Sequence, residues 1–218
     1  VNASEDIYGN DPWWARHPPI SLEKRLETKA ALRKVLRARR REHVAGLDQR
    51  MRALMLMRPP GPVVQMVPDD AVIGLYMAGP QEAPAGGYAR FFQEAGHTIA
   101  MPSFATRESP MVFRRWDSAH VEELLETGPY GMLQPMADAP VMVPDVLFVP
   151  LIGFTADGAR LGQGGGHYDR WLPEHPGTLT IGLAWDCQLE DALPHEAHDQ
   201  PLRAVVTPTR LYGPWENA

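Results

Sequence analysis

The chain has 218 residues, 44% hydrophobic and 22% charged, and a net charge of −6, the balance of an ordinary folded α/β domain. Its 19 glycines and 22 prolines imply many shaped loops without reaching the composition of a disordered chain. A single cysteine, Cys187, excludes an intramolecular disulfide framework and a cysteine-based zinc site, and no apolar run approaches the ~18 residues of a membrane helix.

Residues 1–20 read as an irregular N-terminal arm, pinned to the body or to an interface by Trp13 and Trp14. They contain no apolar run of the kind that drives secretion, so a cytoplasmic protein is expected. Residues 21–218 are expected to form one α/β domain. Ser21, followed by Glu23 and Glu27, marks a helix start, and that helix runs to about Val44. A second short helix lies within 46–57 and ends at the Pro59–Pro60–Gly61–Pro62 breaker. Beyond it, strands are predicted at 71–77, 97–101, 111–116, 145–150, 178–185 and 203–207, with helices at 86–96 and 117–126. The Gly-, Pro- and Met-rich segment 127–144 reads as a loop. Strands alternating with helices predict a mostly parallel sheet covered on both faces. No internal repeat is visible.

The charge is unevenly spread. Between Lys24 and Arg58 there are 12 Lys/Arg against 3 acids, while the rest of the chain has 9 against 24. On a helical wheel Leu22, Leu26 and Leu36 mark the buried stripe, and Lys29 and Arg33 fall in its middle. Lys24, Lys34, Arg39 and Arg41 fall well away from it, but Arg40 does not. Buried cations cost several kcal/mol unless paired. Either Lys29 and Arg33 meet an anionic ligand or a buried carboxylate, or their stems snorkel past the stripe to water. The Arg39–Arg41 triplet surrounds the helix and no aromatics are interleaved with it, which does not suit nucleic acid.

The strongest local signal is the run from Asp157 to Arg170, which follows the 145–150 strand and enters a helix-like segment at 168–172. Gly162, Gly164, Gly165 and Gly166 let backbone N–H groups approach an oxyanion, and a helix start behind them favours negative charge. Arg160 offers a charge-assisted contact, and Asp169 offers an oxygen for Mg²⁺ bridging phosphates. No Lys-Ser/Thr follows the glycines, and the run lies too late for a dinucleotide fingerprint. A phosphate cradle and a flexible turn both remain open on these residues alone.

At this point the chain resembles the 5-formyltetrahydrofolate cyclo-ligase (methenyltetrahydrofolate synthetase) family, from about Leu26 to Thr207. Lys29-Ala-Ala-Leu32-Arg33 looks like its N-terminal K-x-x-L-R, and Tyr76-Met-Ala-Gly-Pro-Gln-Glu82 is similar to its Y-x-P-x-x-x-E segment. Met101-Pro102, Phe113 and Tyr130-Gly-Met-Leu-Gln134-Pro follow in order. Val149-Pro150 through Arg170 resembles the family's glycine signature; Ile181 to Trp185, Gln188, His198-Asp199 and Val205 to Thr207 complete the pattern.

The resemblance implies a three-layer α/β sandwich with a mostly parallel sheet, similar to the sugar-phosphate isomerase and CoA-transferase-like group. It implies conversion of 5-formyltetrahydrofolate to 5,10-methenyltetrahydrofolate, with ATP as co-substrate and Mg²⁺ as cofactor. The carried-over ATP contacts are Lys29, Arg33, Arg160, Leu161, Gly162, Gln163, Gly164, Gly165, Gly166, His167 and Tyr168. Met77, Glu82 and Tyr168 would line the folate site, and Asp169 and Asp199 would hold the metal. The chemistry needs no protein nucleophile, so Ser103, Ser109 and Cys187 are given no catalytic role. A monomer or weak homo-oligomer is expected, with neither nucleic acid nor membrane as partner.

Four positions depart from the family pattern: Gln163 for an aromatic residue, His167 for a tyrosine, Gln134 for an acid and Ala78 for a proline. His195 and His198 with Asp199 have a metal-like spacing but no obvious further ligands, which favours a loop beside Mg²⁺ over a transition-metal site. Two other functions stay as alternatives: another nucleotide- or sugar-phosphate enzyme on the same fold, and non-enzymatic nucleic-acid binding through residues 24–58.

Overall fold

The computed structural model describes residues 22–120, 125–194, 196 and 199–215, and for 22–27 and 53 the backbone alone. The arm at 1–20, with Trp13 and Trp14, and the expected cap Ser21 lie outside the described residues, as do the side chains of Leu22 and Leu26.

Helix α1 (Leu22–Ala45) is rich in Leu, Ala, Arg and Lys, strong helix formers, and ends where the Gly46 N–H returns to Glu42 and His43 carbonyls, both at 3.1 Å. Asp48 then caps α2 (Gln49–Leu54), accepting from the Arg50 and Met51 N–H groups at 2.9 and 3.1 Å. The proline-rich stretch does break the chain, but its second half also starts a helix. Pro62 sits in the first turn of α3 (Gly61–Gln65), where a missing N–H costs nothing.

Among the described residues the main sheet has eight strands. Five are parallel: β1 (Val72–Gly74), β2 (Thr98–Ser103), β7 (Val146–Pro150), β10 (Leu179–Leu183) and β12 (Ala204–Val206). In space they run β12-β10-β7-β1-β2. Antiparallel neighbours finish both edges: β3 (Val112–Arg115) then β6 (Val141–Met142) beyond β2, and β13 (Leu211–Tyr212) beyond β12. Side chains of β7 alternate between the two faces. Val146 and Phe148 join a cluster with Tyr88 and Phe92 of α4 (Gly86–Glu94) and Val44 of α1. Leu147 and Val149 join Trp171 and Leu172 around α5 (His167–Trp171). Helices thus cover both faces, the arrangement that lets a central strand be apolar throughout.

A smaller sheet, β11-β8-β9, carries the glycine run: β8 (Gly153–Thr155) and β9 (Arg160–Leu161) form a hairpin, and β11 (Leu189–Glu190) pairs with β8. Leu36 of α1 packs into this unit with Ile152, Leu161 and Leu193, and a Cβ on Gly153 would come 2.7 Å from its methyl. This docks α1 along the glycine run.

Two expected elements are different. Leu125 and Glu126, placed at the end of a helix over 117–126, belong to strand β4 (Leu125–Thr127), and the expected 127–144 loop holds its partner β5 (Leu133–Pro135) as well as β6. Residues 117–120 form bends and turns, and 121–124 lie outside the described residues. A tight turn explains it: Gly128 N donates to Met132 O and Gly131 N to Gly128 O, both at 2.9 Å, with Gly131 at φ +75°. Long-range pairing outweighs the helical preference of a Glu/Leu-rich run. Among the described residues no helix is long and apolar enough to cross a membrane.

Candidate active site

In an open α/β sheet, ligands bind beyond the carboxyl ends of the strands, where strand order reverses. Here that point lies between β7 and β1, because the chain steps from β1 outward to β2 and later returns to β7 on the other side. The segments that follow β1, β2 and β7 meet there around a cleft of about 810 Å³. Every candidate residue read from the sequence lines it, from Lys29 and Arg33 through Met77, Glu82 and Arg160–Asp169 to Asp199.

The first flank is built of charge. Lys29 is only 4% exposed, and its Nζ donates to Glu196 Oε2 at 3.0 Å and Asp199 Oδ2 at 2.7 Å. It therefore does not snorkel. Asp199 Oδ2 also accepts from the Glu196 N–H at 2.7 Å. One turn along α1, Arg33 Nε donates to Gly162 O at 2.9 Å, and Arg37 donates to Gln163 O at 2.7 Å. Burial lowers the Arg33 pKa, the Arg37 charge adds to that, and the nearby Asp199, Glu196 and Asp169 oppose it. Arg160 is paired with Asp169 and also donates to Gln200 O at 3.2 Å. Four cations (Lys29, Arg33, Arg37 and Arg160) and three carboxylates therefore share this flank.

The glycine run is shaped by these contacts. Gly164 (φ +102°) lies against the Arg33 guanidinium, which a Cβ there would approach to 3.5 Å. Gly166 (φ +63°) precedes α5, and Arg170 donates to Gly165 O at 2.9 Å. The remaining cations of the basic segment do not form one face: Arg39 pairs with Glu190, while Lys34 and Arg41 are exposed.

Across the cleft, Glu82 stands on the loop after β1. Its Oε2 accepts from the Gly79 N–H at 2.9 Å, and its Oε1 accepts from Gln163 Nε2, so the glycine run and the Glu82 loop are tied together. The buried Trp185 pins that loop, Nε1 donating to Gln81 O at 2.9 Å. Burial, reinforced by the Glu82 charge, raises the Tyr168 phenol well above its usual range, keeping it a neutral donor. Phe104, Tyr130 and His167 form an aromatic wall with centroid separations of 4.8 to 5.5 Å.

Glu196 and Phe104 had no local signal in the sequence, and Tyr130 had only its place in the segment from Tyr130 to Pro135 that resembles the family. Arg40 had a local signal: it stayed on the buried stripe of the wheel. It is 6% exposed and lines the cleft; it donates to Leu151 O at 3.3 Å, and its Nε has no partner among the described residues. Burial lowers its pKa against the opposing pull of Glu82. Cys187 is half-buried, and burial raises its thiol pKa, so it has no thiolate character. His195 and His198 lie outside the described residues; among those described, no three His, Cys, Asp or Glu side chains cluster to hold a metal.

Sheet order and cleft position define an open-sheet α/β protein with its ligand cleft at the switch point. The 5-formyltetrahydrofolate cyclo-ligase family model matches residues 25–208, and the chain belongs to that family. A 5-formyltetrahydrofolate cyclo-ligase of Escherichia coli K12 is 51% identical over 70 residues, 31% of this chain and 38% of that protein. The Saccharomyces cerevisiae protein of the same name is 31% identical over 134 residues, 55% of this chain and 63% of that one. These matched stretches span less than two thirds of either relative. The solved 5,10-methenyltetrahydrofolate synthetase of Aquifex aeolicus superposes with a TM-score of 0.65 at 24% identity, covering 87% of this chain and 94% of that one, a likeness of fold. That of Mycoplasma pneumoniae gives 0.58 at 21% identity over 81% and 96%.

Proposed function

We propose that this protein is an ATP- and Mg²⁺-dependent 5-formyltetrahydrofolate cyclo-ligase, with residues 21–218 acting as one catalytic domain in the cytoplasm. One observation carries the reading. Inward cations of α1, the glycine run and the Glu82 loop, far apart in sequence, converge on one cleft at the switch point of a chain that belongs to this family.

A formamide oxygen is a poor nucleophile and its oxygen a poor leaving group. Attack of the formyl oxygen on the γ-phosphorus releases ADP and leaves an imidoyl phosphate. N10 of the folate then attacks the activated carbon and gives up its N–H proton, which leaves with the departing phosphate as the C–N ring bond forms. Such phosphoryl transfer mainly needs positioning and charge stabilisation, so no protein nucleophile takes part.

Lys29, Arg33 and the Gly162–Gly166 backbone hold the phosphates, with Arg160, Leu161, Gln163, His167 and Tyr168 around them. Met77, Glu82 and Tyr168 face the folate, the Glu82 carboxylate accepting from donor edges of the pterin. Arg160 and Lys29 orient Asp169 and Asp199. These two carboxylates are an all-oxygen donor set, and one or two carboxylates beside substrate phosphates suit Mg²⁺. Lys29 and Arg160 are already paired with carboxylates here, so a cation brought with an entering polyphosphate adds to its neutralisation. When bound, the metal neutralises charge on the phosphate oxygens.

The test is direct. Protein, MgATP and folinate are mixed, and methenyl-folate absorbance is followed. Product must appear only with ATP present; folinate left unchanged overturns the reading.

A further inference from the structure

Phe104 lies just beyond β2, and its ring meets those of Tyr130 and His167 at 4.9 and 4.8 Å. Tyr130 is held from outside, its hydroxyl donating to Arg107 O at 2.8 Å, and His167 leans on Arg170 at 3.1 Å. Phe104 is gripped from inside, at both backbone polar groups. Its N–H donates to Gln134 Oε1 at 3.0 Å, and its carbonyl accepts from Gln134 Nε2 at 3.1 Å. The same Nε2 donates to Glu126 Oε1 at 3.2 Å, the residue opposite Gln134 in the β4–β5 ladder. Gln134 is 6% exposed, and the packing around it is close: a Cβ on Gly128 would lie 2.2 Å from Gln134 Oε1.

With Glu126 opposite in this chain, the amide satisfies all three partners where the acid of the family pattern would not. A carboxylate has no proton for the Phe104 carbonyl and repels Glu126, and an apolar side chain leaves both Phe104 groups unpaired in a buried setting. The grip therefore fixes where the ring of Phe104 stands. That ring lies on the folate side of the cleft under the reading above. β2 adjoins β1, whose loop carries Met77 and Glu82, while Lys29 and its carboxylates lie on the other flank.

We propose that Gln134 is a positioning residue for the folate: it sets the Phe104 wall against which a flat ring of the substrate packs. The inference rests on the cyclo-ligase reading. Gln134→Glu is expected to raise the folinate KM about tenfold, the worth of one misplaced aromatic contact. Its kcat and ATP KM stay within about twofold of the parent by the same arithmetic. On acidification the introduced carboxyl takes up a proton, regains a donor, and the folinate KM returns toward the parent's. A merely structural defect gives no such rescue. Should Gln134→Glu fail to fold, Gly128→Ala pushes the amide off Phe104 and must raise the folinate KM alone.

The outcomes separate. An inactive parent overturns the cyclo-ligase reading and this inference with it. An active parent overturns the inference alone if the folinate KM of whichever variant folds is unchanged, or if its ATP KM rises as much or more.

Discussion

The two flanks of the cleft are built on opposite principles. On the first, Lys29, Arg33 and Arg160 face Glu196, Asp199 and Asp169, and the Lys29 partners lie 167 and 170 residues away in sequence. On the second, the rings of Phe104, Tyr130 and His167 meet edge to face, and Phe104 is set by an amide grip from 30 residues away. A buried charged set is stable only when complete, because removing one member leaves its partner ionised and unpaired. An aromatic wall gives way by degrees, since a displaced ring keeps most of its dispersion contacts. Variants of the first flank should therefore fail abruptly, and those of the second should be graded.

Lys29→Ala is the harshest test of this contrast. It removes the cation that Glu196 and Asp199 share in a buried setting, at a cost of about 3–5 kcal/mol in stability. On the proposed reading it also removes a phosphate contact, so kcat/KM for ATP should fall at least ~100-fold, against little change for the exposed Arg41→Ala. Equal effects in steady-state kinetics would contradict the assignment of an inward role to Lys29. Asp199→Asn should be milder. It keeps an oxygen for the Glu196 N–H but loses a charge from the expected metal pair, raising the Mg²⁺ needed for half-maximal rate by on the order of tenfold. A titration of rate against Mg²⁺ measures this, and an unchanged midpoint removes Asp199 from the metal site.

The same contrast explains what was legible in the sequence. Lys29 and Arg33 were readable because a cation on an apolar helical stripe breaks a local rule, and the glycine run because so many glycines in a short span do the same. The parallel strands 145–150 and 178–185 were readable as continuous apolar runs, which only a doubly covered sheet can bury. Glu196 was not: an acid in a polar loop looks solvated until Lys29 arrives from the far end of the chain. Leu125 and Glu126 carry a helical signal and still form a strand, because their partner lies across a turn whose geometry depends on Gly128 and Gly131. Phe104 and Tyr130 obeyed every local rule, and nothing short of the sheet order brings them together.

The gentlest effect belongs to His167, on the aromatic wall. Burial lowers its pKa from the model-compound value of 6.5, and the Arg170 charge lowers it further, so at neutral pH it packs as an uncharged ring. In the unfolded chain the imidazole takes up its proton near 6.5, before the folded protein does. Its contribution is therefore undiminished above that value and is lost as pH falls below it toward the lowered folded pKa, because the unfolded state binds more protons there. His167→Tyr supplies a ring that does not titrate in this window, while every other histidine is left in place. Denaturation midpoints of both proteins, followed from about pH 7.5 to about pH 5, should diverge on the acid side, with the parent losing more. Parallel curves would mean that the ring stands in water rather than against Phe104, and that the wall has only two members.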